Sequence, residues 1–284
     1  MAEIIDGKQL AKDIRAKVTD RVADIKEQYG KVPHLVVILV GDNPASQSYV
    51  KRKKRDCERA GMKSTIIHKD TDITEKELID LVQRLNDDND VHGLLVQLPL
   101  PDHINENIVI NTIRKDKDVD GFHPLNIAAI HTGEHGIVPA TPKGVMTMLK
   151  SAGIDLVGQE AFVIGCSNIA GKPIAMLLLE EKATVTIAHS KTRDLKKHAK
   201  EADIIVAAAG VPNLVTPDMV KEGVVVIDVG INRVEGKLIG DVDFEGLKDK
   251  ASYITPVPGG VGPMTIASLL ENTLECFEIL EGKR

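Results

Sequence analysis

The sequence predicts an α/β fold of two domains, each a mainly parallel sheet with flanking helices. Short β-branched runs alternate with amphipathic stretches along the chain, and this alternation is typical of parallel sheets covered by helices. The length of 284 residues fits roughly two domains of ordinary size. Hydrophobic residues make up 43% of the chain and charged residues 27%, so the chain can bury a sizeable core and is not expected to be disordered.

The first half of the chain contains two βαβ units. Apolar residues recur at helical spacing from Leu10 to Ile25, which predicts a long first helix. The stretch 115–142 carries three glycines and three prolines, so we interpret it as an irregular junction between the domains. The elements predicted between these two segments are a strand at 35–40, a helix at 45–60, a strand at 65–68, a helix at 75–86 and a strand at 93–98.

A second alternation of strands and helices follows the junction. Parallel sheets place their ligand sites beyond the carboxyl ends of the strands, so the residues just after each strand are candidates for chemistry. The predicted elements are strands at 161–164, 184–188, 204–208, 224–229 and 253–255, and helices at 172–181, 194–201 and 264–280.

The composition excludes several classes of protein. A formal charge of −6 and an aromatic content of 2% argue against a nucleic-acid-binding protein, although the run 51–55 is entirely basic. The three cysteines lie far apart and predict neither a disulfide framework nor a metal site, which favours a reducing compartment. The N-terminus lacks a signal-peptide pattern, and no apolar run approaches the ~20 residues that span a membrane. We therefore expect a cytoplasmic protein without nucleic-acid or membrane partners.

A glycine turn between a strand and a helix predicts a dinucleotide site of the Rossmann type. Residues 165–171 (GCSNIAG) follow a predicted strand, and glycines there let a pyrophosphate approach the backbone and the next helix N-terminus. Ser167 replaces the second glycine of the usual pattern and the spacing is one residue longer, so a plain tight turn is the alternative. The next strand ends at 189–193 (HSKTR), which offers Ser190 and two cations to a phosphate but no carboxylate to a ribose diol. This composition favours NADP, with an exposed basic loop as the alternative.

Polar residues near the carboxyl ends of the first sheet predict a second site. Tyr49 and Lys53 are four residues apart and share one helix face. Gln97 lies at the end of a predicted strand, and Asp120 lies at the domain junction. A lysine whose pKa is lowered by burial can exchange protons with a substrate. From the residues alone, a solvated basic face at 51–55 is the more favoured interpretation of that helix.

Two metal-binding patterns are weighed and rejected. Asp118 and Asp120 form a close pair, but no further ligand has suitable spacing, and Asp-Gly is ordinary turn chemistry. Residues 131–135 (HTGEH) match the HxxEH pattern of zinc peptidases, which requires a helix. Glycines at 133 and 136 favour a loop there instead. We therefore expect no metal site.

Four segments of the chain resemble the signatures of one enzyme family. They are residues 41–50 (GDNPASQSYV) followed by Lys53, residues 96–101 (VQLPLP), residues 117–122 (KDVDGF) and residues 258–265 (PGGVGPMT). Together they resemble the bifunctional methylenetetrahydrofolate dehydrogenase/cyclohydrolase family over essentially the whole chain. The resemblance implies oxidation of 5,10-methylenetetrahydrofolate to 5,10-methenyltetrahydrofolate with NADP, and hydrolysis of that cation to 10-formyltetrahydrofolate.

The resemblance also implies a role for individual residues that contact the folate. Lys53 matches the family's catalytic lysine, and Gln97 matches the glutamine that tunes it. Tyr49 matches the tyrosine that stacks on the aminobenzoate ring beside the reacting groups, and Asp120 matches the carboxylate that anchors the pterin. The other positions that match substrate contacts are Val96, Leu98, Pro258, Gly259, Gly260, Val261 and Gly262.

Cofactor contacts and assembly follow from the same resemblance. Many NADP-dependent members have an arginine where this chain has Cys166. This chain therefore lacks the fork-shaped phosphate partner that the arginine provides. Some bacterial members also lack that arginine, so NADP remains the expected cofactor. Family members are homodimers, and their C-terminal helix returns to the first domain. We therefore predict a folate-binding catalytic domain of residues 1–140 plus 266–284 and an NADP-binding domain of residues 141–265. The positions that match cofactor contacts are Gly165, Cys166, Ser167, Ser190, Ile231 and Thr265.

Two other functions compete with this interpretation. A shikimate-type two-domain dehydrogenase shares the domain plan and a lysine–aspartate site but lacks a loop like residues 258–265. A dinucleotide-sensing or nucleic-acid-binding protein would use the basic run 51–55 and would bind duplex DNA weakly, with a steep dependence on salt.

Overall fold

The computed structural model describes residues 1–283 as two compact units. The six-stranded unit consists of Met1–Lys12 and Thr141–Ser268, and the three-stranded unit consists of Asp13–Ala140 and the chain from Leu269 onward. The strands are β1 (Glu3–Ile4), β2 (His34–Val40), β3 (Lys63–Lys69), β4 (Gly93–Val96), β5 (Glu160–Ile164), β6 (Thr184–Ala188), β7 (Ile204–Ala207), β8 (Val225–Asp228), β9 (Asn232–Val234), β10 (Lys237–Ile239) and β11 (Tyr253–Ile254). The helices are α1 (Gly7–Tyr29), α2 (Pro44–Arg59), α3 (Glu75–Asp87), α4 (Glu106–Thr112), α5 (Pro124–Thr132), α6 (Ala140–Ser151), α7 (Gly171–Glu180), α8 (Leu195–Glu201), α9 (Phe244–Leu247) and α10 (Val261–Leu280), with a short 3-10 helix at Pro217–Met219.

The three-stranded unit is built on a parallel sheet in the order β3-β2-β4. Every residue of the central strand β2 is buried, as its unbroken apolar sequence predicts for a strand covered on both faces. Gly93 begins β4 where a Cβ would lie 2.5 Å from Val119 Cγ1, so only glycine allows this close packing. Val119 therefore packs directly against the first residue of β4.

Helix α2 begins just beyond the carboxyl end of β2. Gly41 turns the chain with a φ of +76°, and the Asn43 side chain accepts hydrogen bonds from the N–H groups of Ala45 and Ser46. Pro44 occupies the first helical position, where its missing N–H costs nothing. This start places the first turns of α2 at the edge of the sheet where ligands bind in parallel folds.

The six-stranded unit is built on a parallel sheet in the order β1-β11-β8-β7-β5-β6. Its core is formed by small and β-branched side chains, with Phe162 the bulkiest among them. The antiparallel pair β9–β10 stands as a separate hairpin. The predicted fold class, two mainly parallel sheets with flanking helices, is confirmed.

Residues 1–12 lie in a different unit from the one that we predicted. The expected folate-binding domain starts at residue 1, whereas Met1–Lys12 cluster with Thr141–Ser268. The physical reason is strand pairing: β1 pairs in parallel with β11, aligning Glu3 with Tyr253. A two-residue strand is too short to show an alternation in the sequence.

The stretch 115–142 is more helical than its glycines and prolines suggested. It contains α5 and the start of α6. Pro124 starts α5 rather than breaking it, and the His123 ring accepts a hydrogen bond from the Leu125 N–H as a cap. Gly133 then ends the helix in the left-handed conformation, with a φ of +69°. The same residues that signal a loop thus serve as helix ends.

Within residues 1–283 no helix is both long and apolar enough to cross a membrane.

Candidate functional site

A buried lysine on α2 is the centre of the first candidate site, within the three-stranded unit. Lys53 is only 4% exposed. Its Nζ lies 3.3 Å from Gln97 Oε1, 3.9 Å from Asp120 Oδ1 and 4.9 Å from the centre of the Tyr49 ring. The structure therefore brings together four of the residues that the sequence singled out.

The surroundings of this lysine change its acid–base chemistry. Burial lowers the pKa of Lys53, and the nearby Asp120 carboxylate opposes that shift only in part. A lysine with a lowered pKa has a larger neutral fraction, and neutral lysine accepts a proton. Burial also raises the pKa of Tyr49 to about 12, so this phenol stays neutral and presents an uncharged ring face. The site combines a proton acceptor with a flat stacking surface.

Gln97 is oriented by its own backbone neighbourhood. Its backbone N–H, just after the end of β4, donates a hydrogen bond to Ile38 O. Its side-chain Nε2 donates a hydrogen bond to Leu98 O over 2.8 Å. Because the amide nitrogen is engaged there, the amide oxygen faces Lys53. Val96 is buried at the last position of β4, and Leu98 is partly buried before a cis peptide bond to Pro99.

Asp118 is the scaffold of the turn that carries Asp120. Its Oδ1 accepts from the Gly121 N–H at 3.1 Å, and its Oδ2 accepts from the His123 N–H at 2.7 Å and from Asn126 Nδ2 at 3.0 Å. Burial raises the pKa of Asp118 to about 6. Three N–H donors thus hold the Asp118 carboxylate within the turn. Sequence reasoning treated this residue only as a weak metal ligand and missed its role in the turn.

Lys117, next to this turn, is a second buried lysine with different partners. It is 1% exposed, and its Nζ donates to Leu85 O, Asn86 O and Asp88 O at 3.1, 2.7 and 2.7 Å. These carbonyls lie at the end of α3 and just beyond it, where helical carbonyls lack internal partners. Lys117 therefore closes a helix terminus and has no part in the cluster around Lys53.

Neither rejected metal pattern gains support from the structure. The helical part of 131–135 ends at Thr132, so the two histidines do not share a helix face. His135 Nε2 instead lies 3.0 Å from Glu275 Oε1. Across residues 1–283 no group of three or more His, Cys, Asp or Glu side chains is arranged to hold a metal ion.

The six-stranded unit carries the second candidate site, in the turn after β5. Gly165 has a φ of +128°, and a Cβ on it would lie 2.2 Å from Ala208 O. A Cβ on Gly171 would lie 2.0 Å from Gly165 O, so both glycines are required for the strand and α7 to pack this closely. Cys166 and Ser167 are exposed at the turn. The turn between Gly165 and Gly171, together with the N-terminus of α7, fits a pyrophosphate group.

The loop after β6 fits the phosphate of NADP rather than a free ribose diol. Ser190 is exposed directly beyond the strand. Lys191 and Arg193 are also exposed, and neither forms an ion pair with another residue in the described part of the chain. Because no carboxylate lies between 189 and 193, these side chains suit an anionic group.

The remaining predicted site residues lie after other strands of the same unit. Ile231 follows β8 and is 62% exposed. Thr265 lies in α10, and its hydroxyl is 3.0 Å from that of Thr141. Residues 258–260 connect β11 to α10, and Val261 and Gly262 are the first two residues of that helix. The Val257–Pro258 peptide bond is cis, and Gly259 has a φ of +116°. Residues 258–262 belong to the six-stranded unit and so lie outside the unit that holds Lys53.

Models of one family match both halves of the chain. The catalytic-domain model described as tetrahydrofolate dehydrogenase/cyclohydrolase matches residues 5–120, and the NAD(P)-binding-domain model of the same description matches residues 139–281. A bifunctional protein FolD from Francisella philomiragia is 54% identical over 98% of this chain and 99% of its own length. One from Bacillus subtilis is also 54% identical, over 96% of this chain and 97% of its own.

Solved structures agree with these sequence matches. The FolD methylenetetrahydrofolate dehydrogenase/cyclohydrolase from Campylobacter jejuni has a TM-score of 0.97 at 51% identity, with all of both chains covered. The Trypanosoma brucei enzyme, solved with NADP cofactor and an inhibitor, has a TM-score of 0.94 at 39% identity, with 98% of each chain covered. Shikimate dehydrogenase from Aquifex aeolicus has a TM-score of 0.52 at 15% identity over 88% of this chain and 92% of its own, a likeness of fold alone.

Proposed function

This chain belongs to the tetrahydrofolate dehydrogenase/cyclohydrolase family, and we propose that it carries both activities of that family. It oxidises 5,10-methylenetetrahydrofolate to 5,10-methenyltetrahydrofolate with NADP, and it hydrolyses the methenyl cation to 10-formyltetrahydrofolate. It thus serves one-carbon metabolism. The observation that carries the proposal is the buried Lys53 beside Gln97 and Asp120, within a chain that matches bifunctional relatives along its length.

We propose that Lys53 moves the proton in the hydrolytic step. Attack of water on the electrophilic methenyl carbon forms a C–O bond and releases one proton. The bond between this carbon and the folate N5 then breaks as N5 takes a proton, and the remaining hydroxyl proton leaves to water as the formyl C=O forms. Lys53 accepts the first proton in its neutral form, which burial makes more populated, and returns it in its charged form. Gln97 Oε1 accepts from the Lys53 ammonium and holds the Nζ in place between these events.

We propose that Asp120 and Tyr49 hold the folate against this lysine. The Asp120 side chain is 20% exposed and faces Lys53, so its free lone pairs can accept hydrogen bonds from the amino and ring N–H groups of a pterin. The neutral ring of Tyr49 offers a stacking face to the aminobenzoate group. Val96, Leu98 and residues 258–262 complete the substrate contacts in this proposal.

We propose that NADP is held by the turn after β5 and the loop after β6. When bound, NADP accepts the hydride from the methylene carbon. Gly165, Cys166 and Ser167 approach the pyrophosphate through their backbone. Ser190 binds the 2′-phosphate with the adjacent cations. The other proposed contacts are Ile231 and Thr265.

One assay tests the two activities and the choice of cofactor together. The protein is mixed with methylenetetrahydrofolate and NADP, and the absorbance of the methenyl product is followed as it forms and then decays. We expect a higher kcat/KM with NADP than with NAD. Ser190→Asp places a negative charge against the 2′-phosphate and shifts the preference toward NAD. An unmodified enzyme that prefers NAD contradicts the assignment of the loop after β6.

Three finer proposals concern the setting of the enzyme. We infer that it is a cytoplasmic homodimer and that its 10-formyltetrahydrofolate supplies purine biosynthesis. Exposed apolar side chains on the β9–β10 hairpin, Val234 and Leu238, support a protein contact through the six-stranded unit. Sedimentation equilibrium of the wild type and of Leu238→Asp tests the dimer: we expect a dimer for the first and a larger monomer fraction for the second.

A further inference from the structure

A fully buried carboxylate links two loops at the carboxyl end of the six-stranded sheet. Asp241 is 0% exposed and follows the β9–β10 hairpin. Its Oδ2 accepts from the N–H groups of Ala209 and Gly210 at 2.7 and 2.8 Å, and its Oδ1 accepts from Asn232 Nδ2 at 2.9 Å. One side chain therefore ties the loop after β7 to Asn232, the first residue of β9, which directly follows the loop after β8.

Both of these loops border positions that we assign to the cofactor. Ala208, next to the clamped Ala209, supplies the carbonyl against which Gly165 packs. On the other side, Ile231 stands directly before Asn232 in the chain. The Asp241 carboxylate fixes Ala209 and thereby the neighbouring Ala208 carbonyl, against which Gly165 packs. It also fixes Asn232 and thereby the backbone of the preceding Ile231.

Close packing against Asp241 requires a glycine at position 230. A Cβ on Gly230 would lie 2.1 Å from Asp241 Oδ1, so the loop after β8 lies directly against the carboxylate. Asp228, the last residue of β8, holds the backbone on either side of the Asp241 side chain. Its Oδ1 accepts from the N–H groups of Gly230 and Asp241, and its Oδ2 accepts from the Val242 N–H. Asp241 lies in the six-stranded unit, whereas Lys53 and its partners lie in the three-stranded unit.

We propose that Asp241 is a positioning residue for the dinucleotide: its carboxylate holds the loops after β7 and β8 in the arrangement that binds NADP. This inference rests on the proposed function of the six-stranded unit. It predicts that loss of the carboxylate weakens NADP binding while hydrolysis of the methenyl substrate, which needs no cofactor, continues.

The test measures NADP binding by isothermal titration calorimetry in three full-length variants. Asp241→Ala removes the shared acceptor of three N–H donors, on Ala209, Gly210 and Asn232, and we expect the Kd for NADP to rise roughly 10- to 100-fold. Asp241→Asn keeps one oxygen for Ala209 and Gly210 but turns an NH2 toward Asn232, and we expect a rise of about 3- to 10-fold. Hydrolysis of methenyltetrahydrofolate without NADP should stay within about twofold of wild type in both.

Asp203→Ala is the matched control. Asp203 also ties two segments of this unit, since it accepts from the Glu160 N–H at 2.8 Å and from Lys221 Nζ at 2.6 Å. It lies at the opposite end of the sheet, so its loss should lower the thermal midpoint without changing the Kd for NADP.

The outcomes separate this inference from the proposed function. A wild-type Kd for NADP in folded Asp241→Ala overturns the inference, and if that variant does not fold, a wild-type Kd in Asp241→Asn overturns it instead. An equal rise in Asp203→Ala also overturns it, because the effect would then be general loosening. A wild-type protein that does not bind NADP at all overturns both the inference and the proposed function.

Discussion

Two lysines of the three-stranded unit are buried to nearly the same extent but have opposite surroundings. Lys53 is 4% exposed and Lys117 is 1% exposed, and burial lowers the pKa of both. Lys117 donates to three backbone carbonyls within 3.1 Å, which is the full hydrogen-bonding capacity of an ammonium group. Lys53 has one side-chain partner at 3.3 Å and a carboxylate at 3.9 Å.

This difference shows that two lysines buried to nearly the same extent can have very different hydrogen-bonding partners. The partners of Lys117 are three backbone carbonyls, which accept hydrogen bonds but do not take up a proton. Lys117 therefore holds the end of α3. The partners of Lys53 are the side chains of Gln97 and Asp120, and its Nζ retains donor capacity for a further hydrogen bond. Substitutions at the two lysines should therefore affect different measurements.

The largest effect is expected for Lys53→Gln, which keeps a polar end group on a side chain one atom shorter but cannot accept a proton. Cyclohydrolase activity should fall by about 10²- to 10⁴-fold, the usual contribution of general acid–base catalysis. Dehydrogenase activity should fall less, because hydride transfer depends mainly on geometry. Separate assays of the two half-reactions check this, and wild-type hydrolysis by the variant would contradict the assignment of Lys53.

The stability of Lys53→Gln supplies the control. Because the pKa of Lys53 is lower in the folded than in the unfolded chain, the charged lysine costs stability at neutral pH. That cost disappears as the pH rises toward the unfolded-state pKa. The variant should therefore be at least as stable as the wild type at pH 7, as chemical denaturation can measure.

The next effect concerns Asp120→Asn, which removes the acidic partner of Lys53. An amide replaces one acceptor by a donor and leaves pterin N–H groups unpaired, so folate binding should weaken by roughly 2–5 kcal/mol. Asp116→Asn, whose carboxylate pairs with Arg114, should bind folate as the wild type does. Unchanged folate affinity in folded Asp120→Asn would remove that residue from the site.

Lys117→Met tests the other half of the comparison. Three carbonyls at the end of α3 lose their partner, so the free energy of unfolding should fall by about 2–4 kcal/mol. The exposed Lys115 gives a matched substitution, Lys115→Met, for which we expect little change. If both variants unfold at the same denaturant concentration as the wild type, Lys117 does not stabilise the helix end.

The smallest effect is expected for Lys54→Gln, one position from Lys53. Its side chain is 42% exposed and pairs loosely with Glu58 at 3.7 Å. Exposed pairs contribute little, so both activities should stay within about twofold of wild type. A large loss here would mean that the whole run 51–55, rather than Lys53 alone, serves the reaction.

The sequence predicted the longer strands of both parallel sheets well because these depend on local patterns. Buried strands such as β2 are continuous apolar runs, and the glycines at 165 and 171 bracket a strand-to-helix turn. Four-residue spacing placed Lys53 with Tyr49 on one helix face. The family resemblance, now shown by the matches of both domains, supplied the reaction.

Other features have no local signal. Lys117 and Asp241 bind mainly backbone groups that are distant in sequence, so nothing around them in the chain distinguishes them from surface charges. Helix α5 was missed because Pro124 and Gly133 were interpreted as breakers, although they are favoured at the two ends of a helix. Strand β1 was missed because two residues cannot show an alternation.

The pH dependence of cyclohydrolase kcat/KM tests most directly the central claim, that Lys53 accepts the proton released in hydrolysis. Neutral lysine is the active form, so the wild-type rate should rise with pH and level off at a value below the ordinary lysine pKa, because burial lowers the pKa of Lys53. Lys53→Gln should lack this rise and keep only a low, flat residual activity. A rise of the same shape and midpoint in Lys53→Gln would contradict the account, because another group would then be carrying the proton.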